Sequence, residues 1–468
     1  MSMQTLTPSA VTTTPGLERV DRSALAHIPG DEGWPLVGRT LNVLADPLGE
    51  VQRMAQRFGP IYRSRILGET NITLLGPEAN ELQYMDQTKL FSSTHGWESI
   101  LGLLFPHGLM LLDFDEHRLH RRALSVAFKS EPMKAYLAQL DFGIAARVAQ
   151  WRKTPGELLF YPAMKQLTLD LAATSFLGTD IGPEVDEVTR AFIDMVAASV
   201  AVIRKPLPGT QMARGVAGRK RIVAYFSEQI PIRRARGGGD LFSQLCQATH
   251  ENGALLSTQD VVDHMSFLVM AAHDTLTSSL TSFVYYLAAN PQWQDKLREE
   301  VMSLGLAPGE PLPFDKLNAM SLTEMAFKEA MRLKPPVPSM PRRAMREFSF
   351  RGYTIPAGTL TGINVLYTHH MPELWPNPET FDPLRFTDEA QRARHRFAYV
   401  PFGGGAHMCL GLHFAYMQAK CFALHLLRNI TVSIKPGYVP GWQMWPIPKP
   451  KDGLRITLTP YLNKNSAS

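Results

Sequence analysis

The sequence predicts a mainly α-helical fold with a smaller β-rich part, and three observations carry that expectation. Between about Glu116 and Leu333 apolar residues recur at the three-and-four spacing of amphipathic helices. After Pro335 the pattern changes to short strands and turns, up to one last helical stretch near Leu412–Leu427. Nothing in the interior reads as a linker or an internal repeat, so one domain is expected over residues 29–463.

Composition narrows the class. The 468 residues are 45% hydrophobic and 19% charged, a balance that excludes disorder throughout and suits a large buried core. A net charge of +5 is slight for this length and argues for neither nucleic acid nor membrane binding. Three cysteines, Cys246, Cys409 and Cys421, do not make a disulfide framework, which points to a reducing compartment. No run of 18 apolar residues occurs, so no membrane span is expected. Residues 1–28, rich in Ser, Thr and Pro, read as a poorly ordered tail on a cytoplasmic, monomeric protein.

Along the chain, Pro29-Gly30-Asp31-Glu32-Gly33-Trp34-Pro35 is a string of turns where ordered structure is expected to begin, near Ile28. Residues 60–66 and 71–75 read as strands. Helices are expected over Met133–Trp151, Tyr161–Phe176, Val185–Val202 and Val216–Phe226, with breaks at Lys205–Thr210 and Gly237–Gly239. Ser257-Thr258-Gln259-Asp260 is a capping box opening a long helix that meets no Gly or Pro until Pro291. Ser321-Leu322-Thr323-Glu324 reads as a second capping box, before a helix ending at Leu333. From Pro436 the chain is dense in Pro and Gly and reads mostly as loop.

The strongest local signal is Pro401-Phe402-Gly403-Gly404-Gly405-Ala406-His407-Met408-Cys409-Leu410-Gly411. Its glycines allow a tight backbone to lie close to something flat or bulky. A helical pattern resumes at once, which places Cys409 near a helix N-terminus, where a thiolate is favoured. Such a thiolate suits a haem iron. A small buried hydrophobe, or a nucleophile with His407 or His413 as base, are the other readings of the loop. Zinc would need further ligands, and no CxxC pair exists.

The full string resembles the haem-binding loop of the cytochrome P450 superfamily, and the likeness extends over about residues 29–463. It implies the cytochrome P450 fold, haem b as cofactor and Cys409 as axial ligand to the iron. By the same resemblance Phe402 stacks near the thiolate and tunes it, while His407 stands where many members carry a propionate-binding Arg.

Midway along the long helix stands Ala271-Ala272-His273-Asp274-Thr275, a costly place for an acid unless it is paired or useful. Ala271 and Thr275, four apart, share a face: the small residue leaves room for a flat cofactor and the hydroxyl lies beside it. Asp274 on the adjacent turn is placed to relay protons from solvent. The bland alternative is a Thr bonded to its own helix and an Asp paired with a surface Arg. The stretch resembles the family's oxygen-activation motif, with Ala272 in place of the more usual Gly.

Glu329 and Arg332 resemble the family's E-x-x-R pair, and Arg385 in Pro378–Phe386 resembles the third partner of a Glu–Arg–Arg cluster that fixes the cysteine loop. Haem carries two carboxylates, so cations should converge on it. His117 and Arg121, four apart, are similar to a propionate-binding His-x-x-x-Arg, and Arg342 is similar to a propionate-binding Arg on a strand. For Arg118 and Arg122 a basic face in water is the simpler reading.

The resemblance implies a monooxygenase that takes O2 and two electrons and inserts one oxygen atom into its substrate. No flavin or iron–sulfur motif is present, so separate donors, a ferredoxin and its reductase, are implied. The basic segment Gln391–Arg396 is either their docking patch or a solvated loop. The pocket is expected from residues 92–112, the helices flanking Pro206, and Phe267–Ala271. Their apolar content (Trp97, Leu101, Leu103, Leu104, Phe105, Leu109, Met110, Leu111) favours a lipophilic substrate. The Gly33–Gly38 and Pro206–Thr210 segments resemble members acting on sterols, retinoids and terpenoids; a fatty-acid-like substrate fits the same pocket. A peroxide-driven enzyme of the same fold, which typically lacks the acid–Thr pair, and a non-enzymatic haem sensor are the rival readings.

Overall fold

One helix organises the molecule. Thr258–Ala289 runs for 32 residues, about 48 Å at the usual rise, through the largest hydrophobic core. Its start is the expected capping box: Ser257 Oγ accepts from Asp260 N at 3.0 Å, and Asp260 Oδ2 accepts from Ser257 N at 3.2 Å. Helices Phe160–Ala172, Gln211–Arg236 and Ser321–Leu333 pack against it. In this computed structural model residues 17–35, 37–178, 183–199, 201 and 203–462 are described, 183–186 as backbone only.

The β-rich part is a five-stranded sheet in the order Ile61–Ile66, Glu69–Leu74, Leu360–Asn364, Ser339–Ala344 and Phe91–Ser92. Glu69–Leu74 and Leu360–Asn364 pair in parallel; the other pairs are antiparallel. A three-stranded sheet joins Gly156–Leu159, Arg455–Pro460 and Ile430–Ser433. Among the described residues no helix is long and apolar enough to cross a membrane.

Most expected elements are present with shifted ends. Met133–Trp151 lies inside Ser130–Lys153, and Leu412–Leu427 inside Leu412–Asn429. The helix expected at Val216–Phe226 is only the middle of Gln211–Arg236, which continues through Pro231. Tyr161–Phe176 becomes a helix to Ala172 followed by a π turn, Ala173–Leu177. Val185–Val202 is the helix Pro183–Ser199, with residues 200 and 202 outside the described set.

Two expectations are corrected. Order reaches further toward the N-terminus than Ile28: Asp21 caps a turn at Arg22–Leu25, and Leu25 and Ile28 are buried beside the sheet. Residues 1–16 of the expected tail lie outside the described residues. The second capping box does not form. Glu300, on the neighbouring helix Pro291–Ser303, accepts from Leu322 N at 2.6 Å and Thr323 N at 2.9 Å, while Glu324 pairs with Lys328 and Lys420. A carboxylate from outside satisfies the free N–H groups better than a Ser whose own partner is drawn away by two lysines.

Candidate active site at the cysteine loop

The loop before Leu412 is closed by Cys409 N donating to Phe402 O at 2.8 Å and Gly403 N to Val400 O at 3.0 Å. Gly405 has φ +59° and lies so close to Tyr84 O that a Cβ there would sit 1.8 Å away. The glycines are therefore needed on the side facing Tyr84, which packs against the loop from the helix Pro77–Tyr84. On the other side Cys409 lines a cavity of about 640 Å³, within the usual range for small-molecule sites. Cys246 and Cys421 are buried elsewhere; Cys421 lies 3.6 Å from Asp141, which also pairs with His425 at 2.8 Å. Burial raises the Cys409 thiol pKa, and the Gly411 N–H and Arg121 oppose that rise. Gly411 is the N-cap of the following helix Leu412–Asn429, so the donating N–H stands at that helix's N-terminus, as the sequence led one to expect.

The same cavity gathers Ala271, Thr275, Phe402, His407, His117, Arg121 and Arg342. The two imidazoles stack at 3.8 Å between centroids. Burial first, and then the nearby arginines, hold the pKa of His117 down to about 3 and that of His407 well below the ordinary value. Arg342 is 3% exposed, and its one side-chain hydrogen bond runs to Pro341 O at 2.8 Å. Neither Arg342 nor Arg121 has an acid within ion-pair distance among the described residues. Tyr84 and Trp97 line this cavity too, and Tyr84 Oη and Trp97 Nε1 are buried without a partner among the described residues. Two uncompensated cations and two orphaned donors beside an apolar hollow form a set that a flat apolar ligand with two carboxylates would satisfy. The residues present fit haem.

Thr275 Oγ1 donates to Ala271 O at 2.7 Å, so the hydroxyl is bonded to its own helix while lining the cavity. The helix runs on without a break at Ala272. Asp274 does not line the cavity. Its Oδ1 is 3.0 Å from His273 Nδ1 and 3.9 Å from Lys165 Nζ. Burial works to raise its pKa, but His273 and Lys165 outweigh burial and hold the carboxyl below its usual value. Neither partner was anticipated: Lys165 is more than a hundred residues away in sequence, and His273 read only as a spacer.

Behind the loop, Arg332 makes two bonds to Glu329 at 2.7 and 2.8 Å with both side chains fully buried. Arg385 Nε lies 3.3 Å from the same carboxylate. The link to the loop is one that sequence reasoning missed. Arg332 Nη1 donates to His369 O at 2.8 Å, and His369 Nε2 accepts from Val400 N at 3.0 Å, one residue before Pro401.

Of the residues expected in the pocket, Trp97, Leu101, Leu109, Met110, Phe267 and Met270 line it. Leu104, Phe105 and Leu111 are buried in the core instead, and Leu103 is 56% exposed, because only one face of each turn meets the cavity. In the basic segment Arg394 stacks over Trp375 at 3.8 Å, while Arg392 and Arg396 remain exposed.

Comparison with known proteins agrees with this geometry. The family model Cytochrome P450 matches residues 28–451. Cytochrome P450 136 of Mycobacterium tuberculosis is 36% identical over 94% of this chain and 89% of its own. Taxane 10-beta-hydroxylase of Taxus cuspidata is 28% identical over 94% of this chain and 91% of its own. Among solved structures, retinoic acid-bound cyanobacterial CYP120A1 superposes with a TM-score of 0.84 at 32% identity, covering 92% of this chain and 99% of that one. The chain belongs to the cytochrome P450 family and is a haem b monooxygenase.

Proposed function

We propose that the protein hydroxylates a lipophilic small molecule (a terpenoid, sterol, retinoid or fatty-acid-like compound) with electrons from a separate ferredoxin and ferredoxin reductase. The observation that carries this reading is the single cavity shared by Cys409, the Ala271–Thr275 face, the acid-free cations and an apolar wall. In it Cys409 would hold the haem iron through its thiolate, Arg121, Arg342, His117 and His407 would hold the two carboxylates, and Ala271 would leave room for the ring. Bound there, haem supplies dioxygen activation, and a thiolate ligand favours oxygen–oxygen cleavage.

The chain's own residues govern protons and orientation. The Thr275 hydroxyl, its hydrogen given to Ala271 O, presents lone pairs to the cavity and holds a donor such as water there. Asp274 stands on the far side of the same turn, against the partly exposed Lys165, so protons enter from that side and pass around the turn to Thr275. The acid–alcohol pair favours an O2-driven enzyme over a peroxide-driven one. The apolar lining, the retinoic acid in the CYP120A1 structure and the taxane hydroxylase support a lipophilic substrate. The exposed Arg392 and Arg396 offer an acidic ferredoxin a docking patch.

The test is a substrate screen on the purified holoenzyme, read by the haem spectrum and followed by turnover with a surrogate ferredoxin and reductase or with hydrogen peroxide. Hydroxylated product from the ferredoxin system is expected. Turnover by peroxide alone, or spectral shifts only with small polar compounds, would overturn the reading.

A further inference from the structure

Arg204 is a cavity-lining cation that the haem does not account for. It stands in the connection after the helix Pro183–Ser199 and reaches two segments that cover the cavity. Nη1 donates to Ser199 O at 2.8 Å and Ala198 O at 3.3 Å, at the C-terminal end of that helix. Nη2 donates to Ser99 O at 3.1 Å and to Ile100 O, near the end of the helix Thr94–Leu101. The guanidinium is half-buried and burial lowers its pKa, yet no acid among the described residues pairs with it. The contrast within the same cavity is with Arg39, which has both Asp31 and Glu50 as partners.

Carbonyl dipoles at two helix ends steady a cation but do not neutralise it. All these contacts use the terminal nitrogens, so the Nε–H edge carries no hydrogen bond to a described residue. Apart from Ser99 and Ser199, whose carbonyls it already uses, the lining nearby is apolar, with Trp97, Ile100 and Leu101 on the helix that Arg204 reaches. A half-buried guanidinium in such a wall complements a carboxylate better than a neutral group.

We infer that Arg204 binds the carboxylate of the substrate, which is therefore a lipophilic carboxylic acid with its hydrocarbon part directed toward Ala271 and Thr275. This rests on the hydroxylase reading above and narrows its substrate class. Arg204 acts here as a specificity residue, remote from the proton-handling groups.

Matched acid and alcohol pairs test it: all-trans-retinoic acid with all-trans-retinol, and palmitic acid with hexadecan-1-ol, titrated into holoenzyme and followed by the haem spectrum. In the wild type the acid of at least one pair binds roughly tenfold or more tightly than its alcohol, the scale of one charge-assisted hydrogen bond. Arg204→Gln removes that preference and leaves alcohol binding within about threefold, whereas Arg204→Lys keeps much of it. Equal binding of acid and alcohol in both pairs overturns the inference. So does an equal loss for acid and alcohol in Arg204→Gln, which would make Arg204 only a clamp between the two helix ends. In either case terpenoids or sterols that still shift the spectrum and turn over leave the hydroxylase reading standing. Failure of every lipophile would remove both.

Discussion

Two clusters of buried charge flank the cysteine loop, and they are built on opposite principles. Glu329, Arg332 and Arg385 are paired and hydrogen-bonded, Arg332 reaching His369, Pro378 and Thr380 carbonyls as well. Arg121 and Arg342 lie on the cavity with two histidines beside them and, among the described residues, no acid within ion-pair distance. The first cluster is complete within the chain and serves the scaffold. The second is a set of charges with no ion-pair partner among the described residues, which is what the proposed carboxylate contacts call for. Completeness of pairing, more than burial or charge, separates scaffold from site here.

The largest expected effect removes what both clusters surround. Cys409→His keeps the fold but loses the thiolate-type band of the reduced carbon monoxide complex; an unchanged spectrum would take Cys409 off the iron. Next comes the paired cluster. Glu329→Ala strands Arg332 and Arg385 as buried, unpaired charges, at a cost of about 3–5 kcal/mol. That is a large share of a typical folding free energy, so little haem-loaded protein is expected. Normal yield and melting temperature would show the pair to be dispensable.

Arg342→Gln should behave in the opposite way, and this sharpens the contrast most directly. Removing a desolvated cation that lacks a counter-ion costs the apo-chain little, while the proposed propionate contact is lost. Unchanged or raised apo-protein melting is expected together with faster haem transfer to apomyoglobin. A large loss of apo stability would put Arg342 with the scaffold. The subtlest change is Thr275→Ala. Ala is the better helix former and the substitution is small, so haem and substrate binding persist. Less product and more peroxide per electron is expected; groups of this kind contribute about 10²–10⁴ in rate, and water in the cavity partly replaces the hydroxyl. Equal coupling in mutant and wild type would return Thr275 to a helix-packing role, the one its bond to Ala271 already fills.

Legibility followed the range of the interaction. The helix Thr258–Ala289, its Ser257–Asp260 cap, the strands at 61–66 and 69–74, and the Glu329–Arg332 pair all depend on neighbours within a few residues. The helix and its cap were readable from spacing, and the strands from residue type over 60–66 and 71–75, while the Glu329–Arg332 pair drew its role from the family resemblance. The second capping box was misread for the same reason: Ser321 and Glu324 have the right spacing, but Glu300, Lys328 and Lys420 decide what they bond. Leu103 and Phe105 looked like pocket residues because composition says nothing about which side of a turn faces the hollow.

By itself, then, the sequence determined the helical class, the long central helix, the cysteine at a helix N-terminus and the acid–alcohol step along one helix. Those features are local, written in periodicity and motif spacing. Tertiary structure alone decided that Tyr84 packs against Gly405, that His369 ties Arg332 to Val400, and that Asp274 turns to Lys165. It also decided which buried arginines find an acid and which do not. A charge looks the same in sequence whether or not it is paired, because its partner is supplied by a segment that only folding brings near.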